Sequence, residues 1–151
     1  MPVTTTVQQL RLYNTRTRST DAFKPINDPT VLMYVCGPTV YDEAHLGHAR
    51  CYITWDVLFR FLKHLGYDVK YVRNITDVDD KIIDNALKEG KSIQEFTGPY
   101  VDAFLQDLET LRIETVEHRP RATEHIETML DMIGELEKRG HTYSVEGNVY
   151  F

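Results

Sequence analysis

Two chemistries meet in one short stretch of this chain. Cys36 ends an apolar run, Val31-Leu32-Met33-Tyr34-Val35, and His45-Leu46-Gly47-His48 follows just ahead of an amphipathic segment. A thiolate is a nucleophile and a ligand for soft metals. Two imidazoles can donate hydrogen bonds to phosphate oxygens, and a glycine between them lets a nucleotide approach the backbone. A helix entrance adds unpaired backbone N–H groups and the positive end of the helix dipole, both of which draw phosphate. In open α/β sheets, ligands bind where strands end. The pattern predicts a crevice in which phosphate and thiol chemistry adjoin.

Each of these residues also has a plainer reading. A lone cysteine is most often a small buried hydrophobe. Cys51, on the first turn of the amphipathic segment, reads as packing. His45 and His48 could join Cys36 around a metal, but Gly47 would have no use in such a site, so phosphate binding ranks higher. Asp77, Asp79 and Asp80 suggest magnesium, yet acidic residues at a helix start are favoured by the dipole alone. One cysteine cannot by itself make a zinc site.

The elements that must position these groups follow from periodicity. Residues 1–9 read as a loose leader, Leu10 to Tyr13 as a short strand, and the stretch to Lys24-Pro25 as a polar loop. Val31 to Val35 is a continuous apolar run of the kind buried in a parallel sheet. Tyr52, Trp55, Phe59 and Leu62, joined by Leu58 and Leu65, predict a helix beginning near His48 and ending at Gly66. Val69, Tyr71 and Val72 make a second strand, completing a βαβ unit. Asp77 is placed to cap a helix through Ile82, Ile83 and Leu87 to Gly90. Ser92-Ile93-Gln94-Glu95 is a capping box. The helical pattern of Tyr100, Phe104, Leu108 and Leu111 meets Gly98-Pro99, which predicts a kink or a fresh helix start. Ile126, Met129, Leu130, Ile133 and Leu136 predict another helix, and the segments flanking Glu146-Gly147 a hairpin. The expected class is α/β: a Rossmann-like parallel half-sheet with its crossover helix (9–76), a helical segment (77–140) and a C-terminal β-hairpin (141–151).

Composition sets the bounds. The 151 residues, 42% hydrophobic and 26% charged, suit one soluble domain with a sizeable core. No apolar run approaches the roughly 20 residues needed to span a bilayer, and the polar start is not a signal peptide. Two cysteines make no disulfide framework, which points to a reducing, cytoplasmic setting. A net charge of −6 weighs against a strong nucleic-acid grip by this segment alone.

Met33-Tyr34-Val35-Cys36-Gly37-Pro38-Thr39-Val40-Tyr41-Asp42, His45-Leu46-Gly47-His48 and Tyr71-Val72-Arg73-Asn74-Ile75-Thr76-Asp77-Val78-Asp79-Asp80-Lys81-Ile82-Ile83 resemble, in order and spacing, the N-terminal catalytic region of cysteinyl-tRNA synthetase. Pro120-Arg121-Ala122-Thr123-Glu124-His125-Ile126 is similar to that family too, and the resemblance runs from Leu12 to Phe151. It implies activation of L-cysteine by ATP with Mg2+, then transfer to tRNA(Cys). It implies that His45 and His48 are catalytic and that His45, Gly47 and His48 contact ATP, stabilising the pentacoordinate α-phosphate. It implies that Cys36 is the first of four zinc ligands, the zinc recognising the substrate thiolate, which serine mimics poorly. It also implies that Gly37 and Thr76 contact the cysteine substrate and that Thr39 and Tyr41 line the same pocket. Arg121 and His125 receive no catalytic role.

The family's second half-sheet, lysine-serine loop, three further zinc ligands and anticodon-binding domain have no counterpart in these residues. The expectation is an incomplete N-terminal fragment, inactive and without stoichiometric zinc on its own, with the missing C-terminal portion as its partner. Two other readings stand beside it: a cysteine ligase of mycothiol biosynthesis, sharing the Cys…His-x-Gly-His scaffold, and a non-catalytic module of the same fold.

Overall fold

The computed structural model describes residues 9–151, so the leader reading for the first residues lies outside the described residues. Strands β3 (Thr30–Val35) and β4 (Asp68–Arg73) run parallel, with Thr30 opposite Asp68 and Val35 opposite Arg73. Helix α1 (Leu46–His64) connects them. Val31, Met33 and Val35 of β3 meet Val69 and Tyr71 of β4, Tyr52, Phe59 and Leu62 of α1, and Phe104 and Leu108 further along. Each such side chain, fully buried, contributes about 1.5–3 kcal/mol.

The β3 run was expected to be buried on both faces. Instead burial alternates, and Leu32 and Tyr34 are 76% and 62% exposed. The side chains of α1 that reach the sheet, Tyr52, Phe59 and Leu62, pack on the other face. In α1 the expected Trp55 lies on the exposed side, and Asp56 takes an inward position. Its carboxylate accepts from the Glu114 N–H at 2.9 Å and from Arg60 Nε at 2.7 Å. Satisfied lone pairs make that burial tolerable.

Beyond the core, β1 (Arg11–Asn14) and β2 (Ser19–Ala22) form an antiparallel pair, correcting the polar loop expected over β2. Helix α2 (Asp80–Glu89) is capped by Asp79, whose side chain accepts from the Lys81 N–H, and not by Asp77 as expected. Helix α3 (Ile93–Thr110) runs unbroken through Gly98-Pro99. The Ser92–Glu95 capping box fixes its start, while Phe96, Val101, Phe104 and Leu108 bury on both sides of the proline. Packing thus outweighs the loss of about 3 kcal/mol that an interior proline brings. Helix α4 (Ile126–Lys138) and the hairpin β5 (Tyr143–Val145) and β6 (Asn148–Tyr150) form as expected but bury none of their residues. Among the described residues, no helix is long and apolar enough to cross a membrane.

Candidate functional site

The sheet does not stop at Val35 and Arg73. Thr39 pairs with Thr76 in a parallel bridge, with the Val40 N–H donating to Thr76 O at 3.1 Å and the Thr76 N–H to Pro38 O at 3.0 Å. Cys36, Gly37 and Pro38 therefore face only Asn74 and Ile75 across the ladder. This is a one-residue bulge, a device that re-aims a strand end. Gly37 is obligatory there, because a Cβ at that position would lie 1.5 Å from the Asn74 carbonyl oxygen. Cys36, on the bulge, is exposed rather than a buried hydrophobe. Cys51 is exposed too, correcting its assignment to packing.

The free edge of β4 is occupied by a segment with no strand-like pattern. The Arg73 N–H donates to His118 O at 3.1 Å and the Ile75 N–H to Pro120 O at 2.9 Å. Asp77, buried, holds the same segment: Thr123 donates its N–H at 2.9 Å and its hydroxyl at 2.7 Å to the two carboxylate oxygens. The Pro-Arg-Ala-Thr run thus braces the strand end that carries Thr76.

The second group lies at the start of α1. His45 is the cap residue and the helix opens at Leu46, two residues before the expected His48. The Gly47 N–H donates to His45 Nδ1 at 3.0 Å, and the His45 N–H donates to His48 Nδ1 at 3.1 Å. The rings lie 4.0 Å apart. A Cβ on Gly47 would sit 2.8 Å from His45 Cε1, so the glycine makes room for the capping ring. The His48 and Ala49 amides both donate to His45 O. The helix amides expected to cradle phosphate are thereby largely spent within the cap.

What remains follows from tautomer chemistry. An imidazole whose Nδ1 accepts a hydrogen bond carries its proton on Nε2. Burial, together with the neighbouring His45, holds the His48 pKa below its ordinary 6.5. The turn therefore presents rings whose donors are Nε2–H, with the His48 ring favoured in its neutral form.

Behind His48, Tyr52 stacks at 6.5 Å, and burial pushes its phenol up to about 12. The buried Arg73 guanidinium lies 4.7 Å from the Tyr52 ring and donates to Tyr71 Oη at 2.8 Å. Among the described residues no carboxylate pairs with Arg73, and its charge rests on aromatic faces. A cleft of about 220 Å³ borders this group, walled by His45, His48, Tyr52, Phe104, Leu108 and Leu111. It does not reach Cys36, Gly37 or Thr76. Tyr41 packs half-buried against the cluster of Val40 and Ile75, with Lys81 Nζ 4.8 Å from its ring centre.

The structure thus brings Gly37, Thr39 and Thr76 together at one edge and His45, Gly47 and His48 at the adjoining helix start. It does not join them in a single cavity. Among the described residues no three His, Cys, Asp or Glu side chains cluster as a metal site, so the local Cys36–His45–His48 alternative does not form. One thiol does not fit zinc by itself. Sequence reasoning missed Asn74, whose side chain links Gly37 to Thr76, and the only signal was its place just beyond an apolar strand.

Comparison with known proteins agrees with this fold. Residues 22–151 match the family described as tRNA synthetases class I (C) catalytic domain. The chain is 48% identical over 142 residues to the cysteine–tRNA ligase of Aquifex aeolicus, covering 94% of this chain and 29% of that protein. It is 46% identical over 142 residues to the cysteine–tRNA ligase of Methanococcus maripaludis, covering 94% and 30%. Among solved structures, the Mycobacterium tuberculosis methionyl-tRNA synthetase in complex with methionyl-adenylate superposes with a TM-score of 0.64 at 25% identity, covering 74% of this chain and 23% of that one. The chain spans about 30% of the length of the curated relatives it matches. It belongs to the class I tRNA synthetase family, in the catalytic domain so described.

Proposed function

We propose that these residues form the N-terminal, nucleotide-binding part of a cysteine–tRNA ligase acting in the cytoplasm. The protein would activate L-cysteine with ATP and Mg2+ and pass it to tRNA(Cys), with the rest of the ligase supplied beyond these residues. The observation that carries this reading is the reciprocal His45–His48 cap beside the strand edge of Cys36 and Thr76. In adenylation, negative charge builds on the α-phosphate. Donors fixed in advance lower the energy of that transition state more than that of bound ATP. His45 and His48 supply such donors through Nε2–H, and Gly47 keeps the His45 ring in place.

Thr76, Gly37 and Thr39 form the amino-acid edge, with Tyr41 at its margin. Cys36 contributes one thiolate toward a zinc whose other ligands lie outside these residues. That metal, when bound, would favour a thiolate substrate over an alcohol.

The test is cysteine-dependent ATP–pyrophosphate exchange by a ligase extended to the length of the relatives. Exchange with cysteine but not serine, and transfer to tRNA rather than to glucosaminyl-inositol, supports the reading. Transfer to the sugar acceptor would favour the mycothiol-type ligase, and no exchange at all the non-catalytic module. Residues 1–151 alone, offering one side of the ATP crevice, should show no measurable exchange.

A further inference from the structure

We propose that Asn74 is the positioning residue that sets the hydrogen-bonding polarity of the amino-acid edge, turning Thr76 into a donor toward the substrate. The inference rests on the ligase reading for the identity of that substrate, but its geometry does not. The Gly37 N–H donates to Asn74 Oδ1 at 2.8 Å. A backbone N–H can only donate, so this contact fixes which end of the amide is oxygen. Nδ2 must then face Thr76 Oγ1, at 3.2 Å. Nδ2 can only donate, so the hydroxyl accepts from it and its own proton is free to point elsewhere.

Two consequences follow for a ligand at this edge. Gly37 cannot offer its N–H, which is spent on Asn74. Thr76 offers an O–H, which suits an acceptor such as a carboxylate oxygen or a thiolate. The same side chain also ties down the bulge by accepting the Gly37 N–H, at a point where the Asn74 backbone carbonyl leaves no room for a Cβ on residue 37. Asn74 therefore couples the shape of the Cys36 bulge to the polarity of Thr76.

Asn74→Asp separates these roles. The carboxylate still accepts the Gly37 N–H in the same shape, but its second oxygen turns the Thr76 proton inward. In the extended ligase, Asn74→Asp should raise KM for cysteine on the order of 10-fold while leaving kcat and the KM for ATP nearly unchanged. In a Thr76→Val background the same substitution should add nothing. A KM unchanged by Asn74→Asp would overturn the proposal, as would an equal rise in the Thr76→Val background, which would signal simple charge repulsion.

Amide hydrogen exchange on the 151-residue chain supplies the structural arm. The Gly37 amide should stay protected in Asn74→Asp and lose protection in Asn74→Ala, and an unprotected Gly37 in the parent chain would also overturn the proposal. A wild-type ligase inactive toward cysteine would overturn the ligase reading and the substrate end of this inference, leaving the Gly37 amide to decide the tie itself.

Discussion

The βαβ unit and the α4–hairpin region are equally regular, yet they are opposite in burial. In the first, Tyr71 is fully buried and Val31, Met33, Val35, Phe59 and Leu62 pack around it. In the second, Ile126, Met129, Leu130, Met132 and Ile133 all remain exposed, and α4 buries no residue. Periodicity declares an element, but only a partner surface decides whether its apolar face is used. The bulge and the His45–His48 cap both belong to the βαβ unit, at its surface, and hydrogen bonds hold each of them in place above the buried core. That is the condition for holding donors in a fixed geometry.

The sharpest way to break the contrast is Gly37→Ala. The added methyl cannot coexist with the Asn74 carbonyl, so the strand end must part. A loss of about 4 kcal/mol, at the upper end for single substitutions, should appear in urea unfolding. A near-neutral result would mean the two strand ends are not in this register.

A smaller effect separates the two aspartates. Asp77→Ala removes two hydrogen bonds from a buried brace and should cost about 2 kcal/mol. Asp79→Ala removes only the exposed cap of α2, for about 1 kcal/mol. The reverse order in thermal melts would return the cap to Asp77.

Smaller still is the response to acid. The folded His48 ring titrates below 6.5, so the folded state binds fewer protons than the unfolded chain. Its stabilising contribution is complete above about 6.5 and fades as the pH falls through the lowered pKa. Acidification from about pH 7.5 to 5.5 should lower Tm in the parent chain and less so in His48→Gln, which keeps a cap acceptor without a titrating ring. Asp21 and Glu95, whose pKa values are also lowered, act below 3.8 and 4.5 and stay silent in that window. NMR titration of the His48 ring reads the same quantity directly.

The smallest effect belongs to the other region. Leu130→Ala, on the exposed face of α4, should change stability by no more than about 0.5 kcal/mol.

These contrasts also mark how far the sequence alone could reach. The βαβ unit, the Ser92–Glu95 box, α4 and the hairpin were legible because each rests on local spacing. The start of α1 was not, because histidines are uncommon caps and the His45–His48 reciprocity depends on ring tautomers. Asp56 and Trp55 exchanged places because a carboxylate can go inward when a distant amide, that of Glu114, waits for it. The strand-like pairing of His118 to Arg121 with β4 has no apolar alternation to announce it. The candidate residues were legible as types, from the His-Leu-Gly-His turn and the strand-end cysteine. Their linkage through Asn74 spans 37 positions and had no local signal.

The most direct test of the account is single-turnover formation of cysteinyl-adenylate by the extended ligase carrying His48→Ala, with Leu130→Ala as the contrast from the unburied region. Losing one preorganised donor should slow adenylation about 100- to 1000-fold, with zinc content unchanged and the Leu130 variant at the parent rate. Normal adenylation in a folded His48→Ala ligase would contradict the role of the histidine cap.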